Sequence, residues 1–156
     1  MLASEDLLNF LKDQEDLRLK AYKDPGGVWT IGYGHTADVK PGQTCTVGQA
    51  ELWLDSDVFA VECALEKLLP REVDQRLTQG QQNALISLSF NAGSDIPSYA
   101  PKLWAALLSG DDEACAHEFL DIDKQEIDGK MVTLPGLKTR REKEAAMFLE
   151  KRGWNS

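Results

Sequence analysis

Residues 15–36 read EDLRLKAYKDPGGVWTIGYGHT and hold the densest glycine and aromatic punctuation in the chain. Gly26, Gly27, Gly32 and Gly34 alternate there with Tyr22, Trp29 and Tyr33. Asp24-Pro25-Gly26-Gly27 is a strong turn signal, because proline presets φ and glycine accepts positive φ. The flanking residues 19–22 and 29–33 are suited to extended pieces, so the spacing predicts a hairpin. Such a hairpin holds Asp24 at its turn and returns Thr30 on the second strand. Glu15 precedes the first strand. A carboxylic acid, a carboxylate and a hydroxyl on a turn-rich platform are the parts that protonate a glycosidic oxygen and aim a water.

The preceding residues supply the acid's support. Ser4 can cap a helix whose first turn carries Glu5 and Asp6, favourable against the helix dipole. Leu7, Leu8 and Leu11 form its apolar stripe with Phe10 on the flank, so Glu15 falls at the helix C-terminus. There it faces the negative end of the dipole without stabilising amides, an arrangement suited to a proton donor.

Glu15, eight residues, Asp24, five residues and Thr30, followed directly by Ile31-Gly32-Tyr33-Gly34-His35-Thr36, resembles the signature of the phage-type lysozymes, the muramidases of glycoside hydrolase family 24. The likeness continues through residues 77–85 and Ser89-Phe90-Asn91-Ala92-Gly93, similar to the family's central helix. Pro135-Gly136-Leu137 with Arg140, Arg141, Glu142 and Glu144 resembles its closing helix. Nearly the whole chain is covered.

Outside the hairpin the pattern is helical. Thr46-Val47-Gly48-Gln49 fits a capping box, and Leu54, Val58, Val61, Leu65 and Leu68 keep helical spacing until Pro70. Glu51, Asp55, Glu62 and Glu66 fall on the outer face of that helix. A second capping box, Thr78 to Gln81, opens a helix with Leu85, Leu88 and Ala92 that closes at Gly93. A segment from Tyr99 carries Leu103, Trp104, Leu107 and Leu108 and stops at Gly110, and Asp111 then caps a helix with Ala114 and Phe119. Residues 137–152 form the last helix, ended by Gly153. Asp128-Gly129 is a hairpin signal, expected as a surface loop beside a cleft and not as a core element.

The fold expected is therefore α+β and lysozyme-like: one domain over residues 1–156. It comprises a small antiparallel sheet lobe (about 16–45), a connecting helix (about 46–69), and a larger helical lobe (about 70–156 with the N-terminal helix 4–15). A groove between lobes is the ordinary place for a substrate.

Composition agrees with a compact enzyme. The chain has 156 residues and 42% hydrophobic content, enough for a sizeable core. It carries no apolar run of membrane-spanning length. No basic-then-apolar leader is visible, which leaves open export by another route or removal of a targeting segment. Cys45, Cys63 and Cys115 are odd in number and widely spaced. They form neither a disulfide framework nor a C-x-x-C motif, and read as ordinary thiols of a protein folded in the cytoplasm. His35 and His117 are the only histidines, too few for a zinc site without cysteine help. No phosphate-loop pattern accompanies Gly32 and Gly34.

The net charge is −9, with residues 46–120 carrying four basic and twelve acidic side chains and residues 121–156 eight basic and seven acidic. An acidic middle repels polyanions and argues against nucleic acid. It also argues against electrostatic capture of an anionic envelope.

Several residues admit two readings. His35 reads as a buried imidazole paired with a carboxylate that pins the hairpin. Tyr22, Trp29 and Tyr33 divide between core and a sugar-stacking surface, since alternate strand residues face opposite ways. Arg140 and Arg141 are either a solvated pair or, as the resemblance suggests, reach inward to Glu15 or another acid.

The resemblance implies that Glu15 is the general acid, that Asp24 stabilises the developing positive charge and helps activate water, and that Thr30 holds that water on the opposite face. It implies substrate contacts at Gly34 and Thr36, support from His35, Arg140 and Arg141, inversion at the anomeric carbon, and no metal or organic cofactor. The partner implied is bacterial peptidoglycan. The protein is expected as a monomer, made in a host or producer cytoplasm and acting in the periplasm or cell wall, with a holin or secretion system as separate export partner. The family usually has glycine where Asp16 stands. The alternatives are a lytic transglycosylase, which needs a single acidic residue, and a non-catalytic peptidoglycan-binding module.

Overall fold

A computed structural model describes residues 1–150. Helix α1 (Glu5–Gln14) starts where the Ser4 hydroxyl accepts from the Leu7 amide, with Glu5 and Asp6 in the first turn. Its buried residues are Leu7, Phe10 and Leu11, so Phe10 takes the core position expected of Leu8. Strands β1 (Arg18–Lys23) and β2 (Trp29–Gly32) pair antiparallel, with Tyr22 opposite Thr30 and an irregularity between Arg18 and Tyr22. Residues 43–45 run beside β1, where Ala21 N donates to Gln43 O and Cys45 N to Leu19 O.

Helix α2 (Val47–Leu68) opens with the complete Thr46–Gln49 capping box. At 1.5 Å per residue it is about 33 Å long. It packs on both β2 and the next long helix, and so links the hairpin to the helical part. Gly32, at φ +67°, lets β2 lie against it: a Cβ there would sit 3.1 Å from the Ala50 Cβ. Leu54, Val58 and Leu65 are buried as the spacing predicts, but Leu68 is exposed and Glu62 is buried. The outward assignment of Glu62 is thus corrected. The N-terminal segment crosses this face of α2, and the Ala3 amide donates to Glu62 Oε1 at 2.6 Å.

Short α3 (Arg71–Arg76), unforeseen in the sequence, precedes α4 (Gln79–Ala92), which the Thr78–Gln81 capping box opens as expected. Helix α4 bears no charge and is buried on nearly all sides from Gly80 to Ser89. An uncharged helix of this kind belongs at the centre of a bundle. Around it lie α5 (Ile96–Tyr99), α6 (Pro101–Ser109), α7 (Asp112–Phe119) and α8 (Pro135–Leu149). The Asp111 cap and the left-handed Gly110 stop match their expected places.

Helices α4 and α8 approach closely, since a Cβ on Gly80 would fall 2.4 Å from the Met147 carbonyl oxygen. Helix α8 runs from Pro135, not from residue 137, and stops at Leu149 because Glu150 turns extended. The Gly153 stop lies outside the described residues. Residues 124–133 form a true hairpin and not a loop: β3 (Lys124–Ile127) and β4 (Lys130–Thr133) pair over four positions, with Asp128 at φ 52° and Gly129 at φ 77°. Positive φ at both turn residues matches the right-handed twist of the strands. All of β4 is exposed, so the hairpin is a surface element.

Candidate active site

Glu15 stands where α1 ends. Its amide closes the last helical bond to Leu11 O at 2.8 Å, and its backbone turns extended at φ −96°, ψ 113°. The side chain leaves the helix end toward the turn that follows β2. There Gly34, at φ +75°, leaves room for it: a Cβ on Gly34 would be 3.1 Å from Glu15 Oε2. The other oxygen, Oε1, accepts from Arg140 Nη1 at 2.9 Å.

Asp24 is fixed by its own turn. Its Oδ1 accepts from the Val28 amide at 2.8 Å, while its amide donates to Val28 O at 2.9 Å. The proline and glycines predicted this geometry, which uses one carboxylate oxygen. Thr30 is buried on β2, and its hydroxyl donates to Val28 O at 3.0 Å. With the proton so committed, the Thr30 oxygen remains an acceptor toward any neighbour that can donate.

Glu15, Asp24 and Thr30 line one cavity of about 340 Å³ with Gly34, Thr36 and Tyr22. Phe90 and Asn91, at the end of α4, complete the wall. These two carry no role in the sequence reading. Their signal in the sequence is their place in the Ser89–Gly93 run that resembles the family's central helix, and nothing local points them at Glu15.

The supporting residues separate by role. His35 is buried and faces away toward α2. Its Nδ1 lies 2.8 Å from Asp57 Oδ2, and its ring stacks on Trp53 at 4.8 Å and 6°. Its backbone pairs with Ile31 in both directions at 2.9 Å, closing the Gly32–Gly34 turn. It pins the hairpin to α2, as the simpler reading expected.

Arg140 and Arg141 are both buried, and neither is a solvated pair member. Arg140 reaches Glu15. Arg141 instead donates to Ile122 O at 2.8 Å and to Asn91 Oδ1, so it meets the cleft through a different wall residue. The cations Arg18 and Lys23 lie over the rings of Tyr22 and Trp29, at 5.1 and 5.5 Å. Asp16 is exposed. Among the described residues no group of three or more His, Cys, Asp or Glu side chains is placed to hold a metal.

A carboxyl, a turn-held carboxylate and a buried hydroxyl around one cavity, on a hairpin tied to a long helix, can be compared with known proteins. The family described as phage lysozyme matches residues 12–144. The chain belongs to the phage lysozyme family.

Relatives agree along its length. The endolysin of Acyrthosiphon pisum secondary endosymbiont phage 1 is 39% identical over 148 residues, covering 95% of this chain and 98% of that protein. The endolysin of Salmonella phage P22 is 36% identical over 154 residues, covering 96% and 99%. Among solved structures, the endolysin of Escherichia coli O157:H7 phage FAHEc1 superposes with a TM-score of 0.84 at 34% identity, covering 96% and 94%. The muramidase domain of SpmX from Asticaccaulis excentricus does so with a TM-score of 0.83 at 29% identity, covering 96% and 98%. The α+β lysozyme-like architecture read from the sequence is the architecture of this family member. No helix among the described residues is long and apolar enough to cross a membrane.

Proposed function

We propose that this phage lysozyme family member is a muramidase: it hydrolyses the β-1,4 bond between N-acetylmuramic acid and N-acetylglucosamine in peptidoglycan and so lyses bacterial walls. The observation that carries the reading is the single cavity lined by Glu15, Asp24 and Thr30. Glu15 protonates the departing glycosidic oxygen. Asp24 stabilises positive charge at the anomeric carbon and accepts a proton from the attacking water. Thr30, its hydroxyl donating a hydrogen bond to Val28 O, accepts a hydrogen bond from the water's other O–H. A water that donates to both turns its lone pair toward the anomeric carbon, on the face opposite Glu15, and the configuration inverts. Gly34 and Thr36 contact the sugar, and Gly34 also leaves the space Glu15 occupies. No metal or organic cofactor enters this chemistry.

The same reading has the protein act as a monomer, one domain of hairpin lobe, connecting helix and helical lobe. It is made in a host or producer cytoplasm and delivered to the wall by a separate partner such as a holin or a secretion system.

Glu15→Gln tests the reading, because an amide keeps the shape and removes the proton. Turbidity of purified peptidoglycan should stop clearing while circular dichroism stays native. Wild-type products should appear first as the α-anomer, with the two carboxyl groups about 6.5–9.5 Å apart around the water. An anhydro product would establish a transglycosylase, and a β-anomer a retaining route with Asp24 as nucleophile.

A further inference from the structure

Behind Glu15 lies a charged cluster that the mechanism above does not use. Glu144 is fully buried, and both its oxygens are occupied. Oε1 accepts from Arg140 Nε at 3.1 Å and from the Ser87 hydroxyl at 2.6 Å; Oε2 accepts from Arg141 Nη1. Each arginine then extends one nitrogen to the cleft wall. Arg140 Nη1 holds Glu15, with Nη2 anchored on Ser87 O at 3.2 Å. Arg141 Nη2 holds Asn91, with Nε anchored on Ile122 O.

We propose that Glu144 is a positioning residue for the reaction: one buried carboxylate that aims two arginines, and through them the acid Glu15 and the cleft-lining Asn91. The inference rests on the reading of Glu15 as general acid. Two guanidinium groups in the interior carry two positive charges, and among the described residues Glu144 and Glu15 are the carboxylates that answer them within contact distance. A buried charge persists only when paired and hydrogen-bonded. Without Glu144, Arg140 keeps only Glu15 as an anionic partner among the described residues, and Arg141 keeps none among them. A guanidinium fork held on three sides has a fixed plane. The direction in which Arg140 presents Nη1 is therefore set from behind by Glu144 and Ser87, not by the exposed cleft.

The charged and titratable groups facing Glu15 come from several elements. Helix α8 gives Arg140, with Glu144 and Arg141 behind it. The hairpin gives Tyr22 and Asp24, which line the same cavity, with Arg18 over the Tyr22 ring. Lys12 and Asp16 flank Glu15 in the chain. Helix α4 contributes only the neutral Ser87, Phe90 and Asn91. Variants within the cluster alter the α8 contribution alone.

The test is the pH dependence of kcat and KM on purified peptidoglycan for Glu144→Gln, Arg140→Gln and the double variant Glu144→Gln/Arg141→Gln. In Glu144→Gln the Arg140 charge acts on Glu15 without its counterweight. The alkaline limb of the rate profile should then move to lower pH by about one unit, with kcat/KM falling about tenfold. In Arg140→Gln the same limb should move to higher pH. The double variant removes one charge of each sign, keeps the interior balanced and serves where Glu144→Gln is too unstable to purify. It should return the limb close to wild type while KM stays raised, because Asn91 has lost its anchor. A purely structural cluster would lower activity equally at every pH. Unmoved limbs in both single variants, or a wild-type KM in the double variant, would overturn the proposal. Lysis by folded Glu15→Gln would instead overturn the assignment of the acid.

Discussion

Gly34 gives the sharpest test of how the hairpin serves Glu15. Alanine at Gly34 meets two separate penalties, and a second glycine separates them. The backbone sits at φ +75°, where an L-residue costs about 1–2 kcal/mol. Reduced freedom of the unfolded chain returns about 0.4–1 kcal/mol, so the net loss is about 1 kcal/mol, or about 2–4 °C in Tm for a chain of this size. Gly42→Ala should show the same loss, since Gly42 has φ +79° and no atom within 4 Å of its added Cβ. Only at Gly34 would the new methyl lie 3.1 Å from Glu15 Oε2. Relief needs a few tenths of an ångström, and Glu15 cannot retreat freely because Arg140 holds Oε1 at 2.9 Å. The carboxyl must swing in the cleft. Since a misplacement of about 1 Å costs about a hundredfold, a fraction of that should cost on the order of tenfold. Thermal unfolding and peptidoglycan clearing of the two variants are compared side by side. Equal activity in Gly34→Ala and Gly42→Ala would refute the claim that this glycine makes room for the acid.

Three further outcomes follow from the same geometry. His35→Ala removes the Asp57 hydrogen bond and the Trp53 stack, so it should lose about 2–4 kcal/mol in urea unfolding; a loss under about 1 kcal/mol would show that the pair does not pin the hairpin. Gly80→Ala forces α4 and α8 apart against the Met147 carbonyl and should cost about 3 kcal/mol, whereas unchanged stability would deny the close approach. Lysis of permeabilised cells should rise as salt shortens the Debye length from about 30 to about 10 Å, because residues 46–120 repel an anionic wall. Charge reversal at the exposed Glu51, Asp55 and Glu66 should flatten that rise, Glu62 being excluded as buried, and a monotonic fall with salt in the wild type would contradict the idea.

Much of the local structure was legible in the chain because its causes are local. The Ser4 cap, the two capping boxes, the Asp24–Gly27 turn and the Gly110 stop each depend on residues within about four positions of one another. So does the fixing of Asp24 on Val28. The Asp128-Gly129 pair carried the β3–β4 turn in the same way, and its relegation to a loop undervalued a local signal. The candidate triad came by a different route, the spacing of Glu15, Asp24 and Thr30 before the Ile31–Thr36 run, and the structure sets all three around one cavity.

What tertiary structure alone decided is how distant charges and walls meet. Glu62 is inside because the N-terminal segment folds over it. His35 finds Asp57 because Gly32 lets the hairpin touch α2. Phe90 and Asn91 reach the cleft, and the Arg140–Glu144–Arg141 cluster of α8 is buried with Ser87 and Asn91 of α4, because α4 and α8 pack together. A helical period places a side chain on a face, but the burial of a charge depends on what that face meets. His35 and Asp57 lie 22 positions apart and Glu15 and Arg140 125, separations that only packing closes.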